Sequence, residues 1–221
     1  MLWFYGGEEA MKIIENKKVF AFDAKNECVA EVVDGETVLF RTHDCFDNQL
    51  SEEGTCIGAL NWDRINPATG PVYVENAKAG DVLKVEILEI TLDKQGVMCA
   101  LPENGVLGSL VKEESVKRIK VEEGNVHFND KLVFDVTPMI GVIGVAPENG
   151  SINCGTPGCH GGNMDNKRIK EGASLYFPVF HDGALFSLGD VHAAMGDGEI
   201  MVSGVEISAD VKVRLSVIKG I

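Results

Sequence analysis

The stretch Gly189-Asp190-Val191-His192-Ala193-Ala194-Met195-Gly196-Asp197-Gly198-Glu199 places one imidazole and three carboxylates inside eleven residues, spaced by small side chains and three glycines. Glycine accepts backbone angles that other residues avoid, so such a loop can bend sharply and aim several side chains at one point. Imidazole nitrogen with carboxylate oxygen is a donor set suited to zinc and related divalent ions. The same composition also fits an acidic, Gly-rich turn between two strands.

Further polar groupings bear on that choice. In Arg41-Thr42-His43-Asp44-Cys45-Phe46-Asp47, a continuing strand would put His43, Cys45 and Asp47 on one side and Asp44 and Phe46 on the other. A polar strand terminus capped by an Asp is the alternative. His160-Gly161-Gly162-Asn163-Met164-Asp165 follows Pro157-Gly158, and its glycines allow the backbone to approach a ligand closely. Asn163 could donate to a substrate carbonyl and Asp165 accept from its amide nitrogen; a solvated turn is the plainer reading. The tetrapeptide Pro-Glu-Asn-Gly occurs twice, at Pro102–Gly105 and Pro147–Gly150. Turn chemistry alone accounts for it, so Glu103 reads as structural, while Glu148 stays open as a general base. His127 and His181 are lone and read as surface or packing residues. Trp62 and Phe46 either wall a pocket or simply pack.

Four of these stretches together carry a resemblance. Phe186–Glu199, Arg41–Gln49, Asn66–Val74 and His160–Asp165 resemble motifs of the acetamidase/formamidase family, in the family's order and over most of the chain from residue 11 onward. The resemblance implies hydrolysis of a small linear amide, formamide or acetamide. It also implies that the His43–Asp44 pair supplies metal ligands, and it strengthens the substrate-binding reading of His160, Asn163 and Asp165. Family members continue beyond a strand equivalent to the one ending at Lys219-Gly220-Ile221 into a helical region. The expectation is that this region is absent, which bears on whether the pocket and any dimer contact are complete.

Amide hydrolysis at neutral pH needs a strong nucleophile and a stabilised oxyanion. A divalent ion serves both needs by lowering the pKa of bound water to about 7 and polarising the carbonyl. A carboxylate must then move the proton to the departing amine. His43, Asp44, His192 and Asp197 are the expected ligands, with Glu199, Asp190 and Glu148 as candidate proton-transfer groups. Zinc is the first expectation for the ion and calcium the second, if oxygen donors dominate. No Gly-x-Ser-x-Gly elbow occurs. A thiol route, with Cys45 beside Asp44 or Cys159 beside His160, ranks below the metal route because the carboxylates outnumber what a thiol requires. The non-enzymatic alternative is a β domain that binds calcium or a small molecule. Histidine discriminates, since it has no place in an all-oxygen site.

The elements that position these residues read as strands. Apolar and polar residues alternate along Val82–Leu92 and Val205–Val217, with further strand candidates at Leu132–Val136, Met139–Val145, Ala173–Phe180 and Ala184–Leu188. Val29–Phe40 reads as a hairpin around Asp34-Gly35. Ser109–Lys117 is the best helix candidate, and Asn61–Pro71 reads as a long loop. The expected fold is mainly β, as packed sheets or a distorted barrel with few short helices. Residues 11–221 form the domain, and two packed subdomains are the alternative.

Residues 1–10 read as translated leader ahead of a natural start at Met11, because Gly6-Gly7-Glu8 can be encoded by a ribosome-binding sequence. They lack a secretory pattern, so the expectation is a cytoplasmic protein whose six cysteines are free thiols. A net charge of −14 argues against a nucleic-acid partner. No apolar run approaches the roughly 20 residues of a membrane-spanning helix. Many strands leave edges to cover, so a homodimer or larger homo-oligomer is expected.

Overall fold

The computed structural model describes residues 11–220; the proposed leader lies outside the described residues. A single 14-stranded, mostly antiparallel sheet dominates, with a separate two-stranded ribbon of Ala21–Asp23 and Ser151–Asn153. The described helical elements are three short 3-10 turns. None is long and apolar enough to cross a membrane. The mainly-β expectation therefore holds.

Two long strands form the spine. Val82–Ala100 and Glu206–Ile218 pair antiparallel from Val82↔Ile218 to Val97↔Glu206. In the first, Leu83, Val85 and Ile87 point into the core while Lys84 and Glu86 do not, as period-2 alternation requires. This strand runs beyond the alternating segment, because its distal half takes a new partner, Ser115–Glu122. Gly96 allows that crossing: a Cβ there would stand 2.8 Å from Val205 Cγ1. The sheet wraps one apolar cluster in which Val38, Phe40, Phe186, Ile140 and Val213 are buried. Phe40 meets Phe186 edge-to-face at 5.6 Å between ring centroids, a favoured aromatic geometry.

Three local expectations are corrected. Asp34-Gly35 does turn the chain, with Glu36 N–H donating to Val33 O at 3.0 Å, but the flanking strands do not pair with each other. Ala30–Val32 runs parallel to Ala68–Val74, and Thr37–Thr42 lies between Lys12–Ile14 and Glu206–Ile218. Gly35 instead donates its N–H to Leu215 O at 2.7 Å, tying the turn to the spine. Ser109–Lys117 is not a helix: a 3-10 turn at Gly108–Leu110 leads into the Ser115–Glu122 strand, whose Ile119 and Val121 are buried at period 2. Asn61–Pro71 is not a loop throughout. It holds the turn Trp62–Arg64 and the start of the Ala68–Val74 strand, buried at every residue but Tyr73. A strand covered on both faces loses alternation.

All six cysteines are free. At the far end of the spine, Asp81 accepts hydrogen bonds from Lys219 Nζ at 2.9 Å and from Lys78 N–H at 2.8 Å. The Lys219 contact first, and then the Lys78 N–H, hold its carboxyl below the usual carboxylate value. A depressed folded-state pKa contributes stability that is fully present above the unfolded value of about 3.9 and is lost as pH falls through the lower folded value. Asp81→Asn should therefore be less stable than wild type near pH 6, and the gap should close toward pH 3. Urea-unfolding midpoints across that range check this, and a gap independent of pH would contradict it.

A buried carboxylate–imidazole centre

The fully buried strand Phe186–His192 delivers the central groups. Asp190 and His192 are two residues apart and so project to the same face. Asp190 has φ of +54°, in the left-handed region that a non-glycine residue rarely adopts; strain of this kind clusters at functional sites. Across the sheet His192 is registered opposite Glu206. The imidazole Nε2 lies 3.3 Å from Asp190 Oδ1 and 3.1 Å from Glu206 Oε2. The other nitrogen, Nδ1, is buried without a hydrogen-bond partner and faces Glu199 Oε1 at 3.9 Å. Gly204 makes room for it, since a Cβ there would come within 2.9 Å of Nδ1.

The neighbouring strand Met139–Gly144 brings Gly141 against this centre. A Cβ at Gly141 would stand 2.5 Å from Asp190 Oδ2 and 2.7 Å from Asp165 Oδ1. Those two oxygens thus flank one point above a bare glycine. Asp165 is held there by the short strand Gly161–Asn163 and by Met164 N–H, which donates to Gly141 O at 2.9 Å. Two groups of donors result, each with ligating atoms within 4.8 Å of one another: Asp165, His192 and Glu199, and Cys45, Asp190 and Glu206.

The electrostatics follow from burial. Burial raises the Asp165 carboxyl, and Asp190 and Glu199 add to it, bringing it to about 7. Burial likewise pushes Glu199 and Glu206 above the ordinary range. At His192 burial disfavours the imidazolium, but Glu206 and Asp190 outweigh it and hold the pKa well above the usual value. Four carboxylates around one imidazole exceed what a single positive charge neutralises, and such a set favours a cation. Asp165 Oδ1, Glu199 Oε1 and His192 Nδ1 are all buried without hydrogen-bond partners. Buried polar atoms are normally satisfied, so these orphaned donors fit a divalent metal.

Of the residues singled out in the sequence, Asp165, Asp190, His192 and Glu199 come together. Others do not join them. His43 is half-buried, with Nδ1 2.8 Å from Asp47 Oδ1 and 2.9 Å from Lys18 Nζ. Asp44 is buried, but its Oδ1 accepts from the N–H groups of Phe46 (3.0 Å) and Asn48 (2.8 Å), closing a turn after the Thr37–Thr42 strand. Asp197 is exposed and pairs with Lys167 at 3.0 Å, because its loop turns it outward. Neither His43, Asp44 nor Asp197 belongs to a donor group. Glu148 is exposed at a turn. His160 is buried, stacks edge-on against Phe22 at 5.2 Å and leaves Nε2 unpartnered; burial keeps its pKa low. The Asn163 Oδ1 is also buried and unpartnered. Phe46 packs in a small apolar cluster, whereas Trp62 is exposed.

Glu206 went unnoticed in the sequence. Its signal was a lone acid among apolar neighbours in Gly204-Val205-Glu206-Ile207. Cys159 is exposed. Cys45 is buried, and burial, with Glu206 and Asp190 nearby, pushes its thiol well above the ordinary value. A thiol held protonated is a poor nucleophile.

Comparison with known proteins places the chain in a family. The chain is 24% identical to a putative formamidase of Schizosaccharomyces pombe over 86% of this chain and 62% of that protein, so it spans less than two thirds of that relative's length. It superposes on an acetamidase from Bacillus halodurans with TM-score 0.92 and 46% identity, covering 95% of this chain and 71% of that one. A predicted acetamidase/formamidase from the thermophile Thermoanaerobacter tengcongensis gives TM-score 0.92 and 50% identity, over 96% and 71%. The sequence profile of the Acetamidase/Formamidase family matches residues 21–154 and 151–221. With motifs, fold and profile in agreement, this chain belongs to the acetamidase/formamidase family.

Proposed function

We propose that this centre binds a divalent metal, zinc first and calcium second, and hydrolyses the C–N bond of a small linear amide, formamide or acetamide, to carboxylate and ammonia. The single observation carrying this reading is the set of buried, unpartnered donors at Asp165, His192 and Glu199. His192 Nδ1, Asp165 and Glu199 would hold the ion. Asp190 and Glu206, on the far nitrogen, would orient the imidazole, as carboxylates behind a ligating histidine commonly do. A bound ion would polarise the amide carbonyl and make water a better nucleophile.

Asp190 Oδ2, which lies over Gly141 beside Asp165 Oδ1, would accept a proton from water and return it to the departing nitrogen. The unpartnered Asn163 Oδ1 and His160 Nε2 are the candidate substrate contacts. Ammonia release from formamide and acetamide, measured after chelation and again after zinc add-back, tests the reading. Chelation should lower the rate by about 10²-fold or more, and zinc should restore it. Full activity in the chelated protein would overturn the metal assignment. A second reading, a metal-binding β domain without catalysis, is favoured only if the restored protein releases no ammonia.

A further inference from the structure

Glu199 differs from the strand-borne donors in what holds it. Asp190, His192 and Glu206 sit on paired strands, whereas Glu199 lies in the connecting segment between Phe186–His192 and Glu206–Ile218. That segment is bent at Gly198, Glu199 and Val202, each with positive φ. The bonds Glu199 N–H to Gly196 O (3.3 Å) and Val202 N–H to Glu199 O (2.7 Å) are internal to it. A clasp from outside comes from the first Pro-Glu-Asn-Gly turn: Val106 N–H donates to Ile200 O at 2.7 Å. Gly105, at φ of +77°, lies directly against the same peptide. A Cβ there would stand 2.5 Å from Ile200 O and 2.9 Å from Met201 Cα, both backbone atoms. The other copy of the tetrapeptide ends at Gly150, with φ of +71° and nothing within 4 Å of its Cβ position. The two turns share a sequence and a left-handed terminal glycine, yet one grips the segment carrying Glu199.

We infer that Gly105 and Val106 are positioning residues for Glu199, setting where its carboxylate stands relative to His192 Nδ1 and hence the affinity of the centre for a metal. The inference rests on the reading of Glu199 as a ligand. Because the contact is to the peptide of Ile200, the residue next to Glu199, a displacement there passes directly into the donor set. Supports of this kind commonly change metal affinity by about 10–100-fold.

The test is zinc titration of the full chain by competition with a chromophoric chelator, with thermal melting alongside. Gly105→Ala should weaken zinc binding by about 10-fold or more. Gly150→Ala imposes a similar left-handed strain in open space, so it should lower stability while leaving zinc affinity unchanged. In a Glu199→Gln background, Gly105→Ala should add no further loss, because the two act through one group. Wild-type zinc affinity in Gly105→Ala, or an equal loss in the Glu199→Gln background, would overturn the inference. If Gly105→Ala does not fold, Val106→Pro removes the donor without adding a Cβ at residue 105 and must give the same pattern. Wild-type affinity in Glu199→Gln alone would instead overturn the ligand reading, which separates the two failures.

Discussion

Replacing His192 by alanine is expected to remove both bound metal and amidase activity, the latter by about 10³-fold or more. The imidazole is 1% exposed and is in ion-pair contact with Asp190 and Glu206 through one nitrogen, while the other is aimed at Glu199. Its loss leaves buried carboxylates with no positive neighbour in the metal-free chain. Breaking such a pair typically costs about 3–5 kcal/mol, so the metal-free variant should also melt well below wild type. His127 is a fair control, being half-buried on the outer hairpin with Glu122 at 3.9 Å; His127→Ala should change neither property. Metal analysis beside an ammonia assay separates the outcomes. If the variant at 192 keeps both metal and activity, the centre is misassigned. Lost activity with full metal content would make the imidazole a proton carrier and leave the ion to the carboxylates.

The second large effect is expected at Gly141. A methyl group there would collide with Asp190 Oδ2 and Asp165 Oδ1, the two oxygens that bracket the proposed reaction point. Both belong to buried or half-buried side chains on strands or a tethered loop, so neither can retreat freely. Overpacking of this sort costs about 1–3 kcal/mol in stability. The functional cost should be larger, since displacement of reacting groups by about 1 Å can lower rates 10²-fold. Gly58→Ala is the matched control, with nothing within 4 Å of its Cβ position. Ammonia release and thermal melting on the two variants check this. A Gly141→Ala protein with wild-type rates would show that Asp165 and Asp190 do not act at that point.

What the sequence revealed follows physical lines. Val82–Leu92 and Val205–Val217 were legible because one flank of each strand is buried and the other is not, which writes period 2 into the residues. Ala68–Val74 was not, because both its faces are covered. In the site, Asp190, His192 and Glu199 were legible from their crowding within one Gly-rich run. Asp197 stood in the same run and still points to Lys167, since a loop that bends three times sends neighbouring side chains in opposite directions. Asp44 has the right residue type in the right motif, yet two backbone N–H groups hold its Oδ1 in a turn apart from the His192 centre. Glu206 escaped because its relation to His192 is a cross-strand register, and register belongs to the assembled sheet.

The Glu206–Ile218 strand is hydrogen-bonded to three other strands, Thr37–Thr42, Val82–Ala100 and Phe186–His192. Phe186–His192 is itself paired with Met139–Gly144 and Ala68–Val74, so parting Glu206 from His192 means opening the interior of the sheet. Glu199 is under no such constraint, since a local opening of its segment breaks a few turn bonds. The centre thus has one wall held by interlocking ladders and one that yields to a fluctuation. An ion would come and go past Glu199 on the timescale of loop motion, and the rate of metal exchange would carry no information about how fast the protein unfolds.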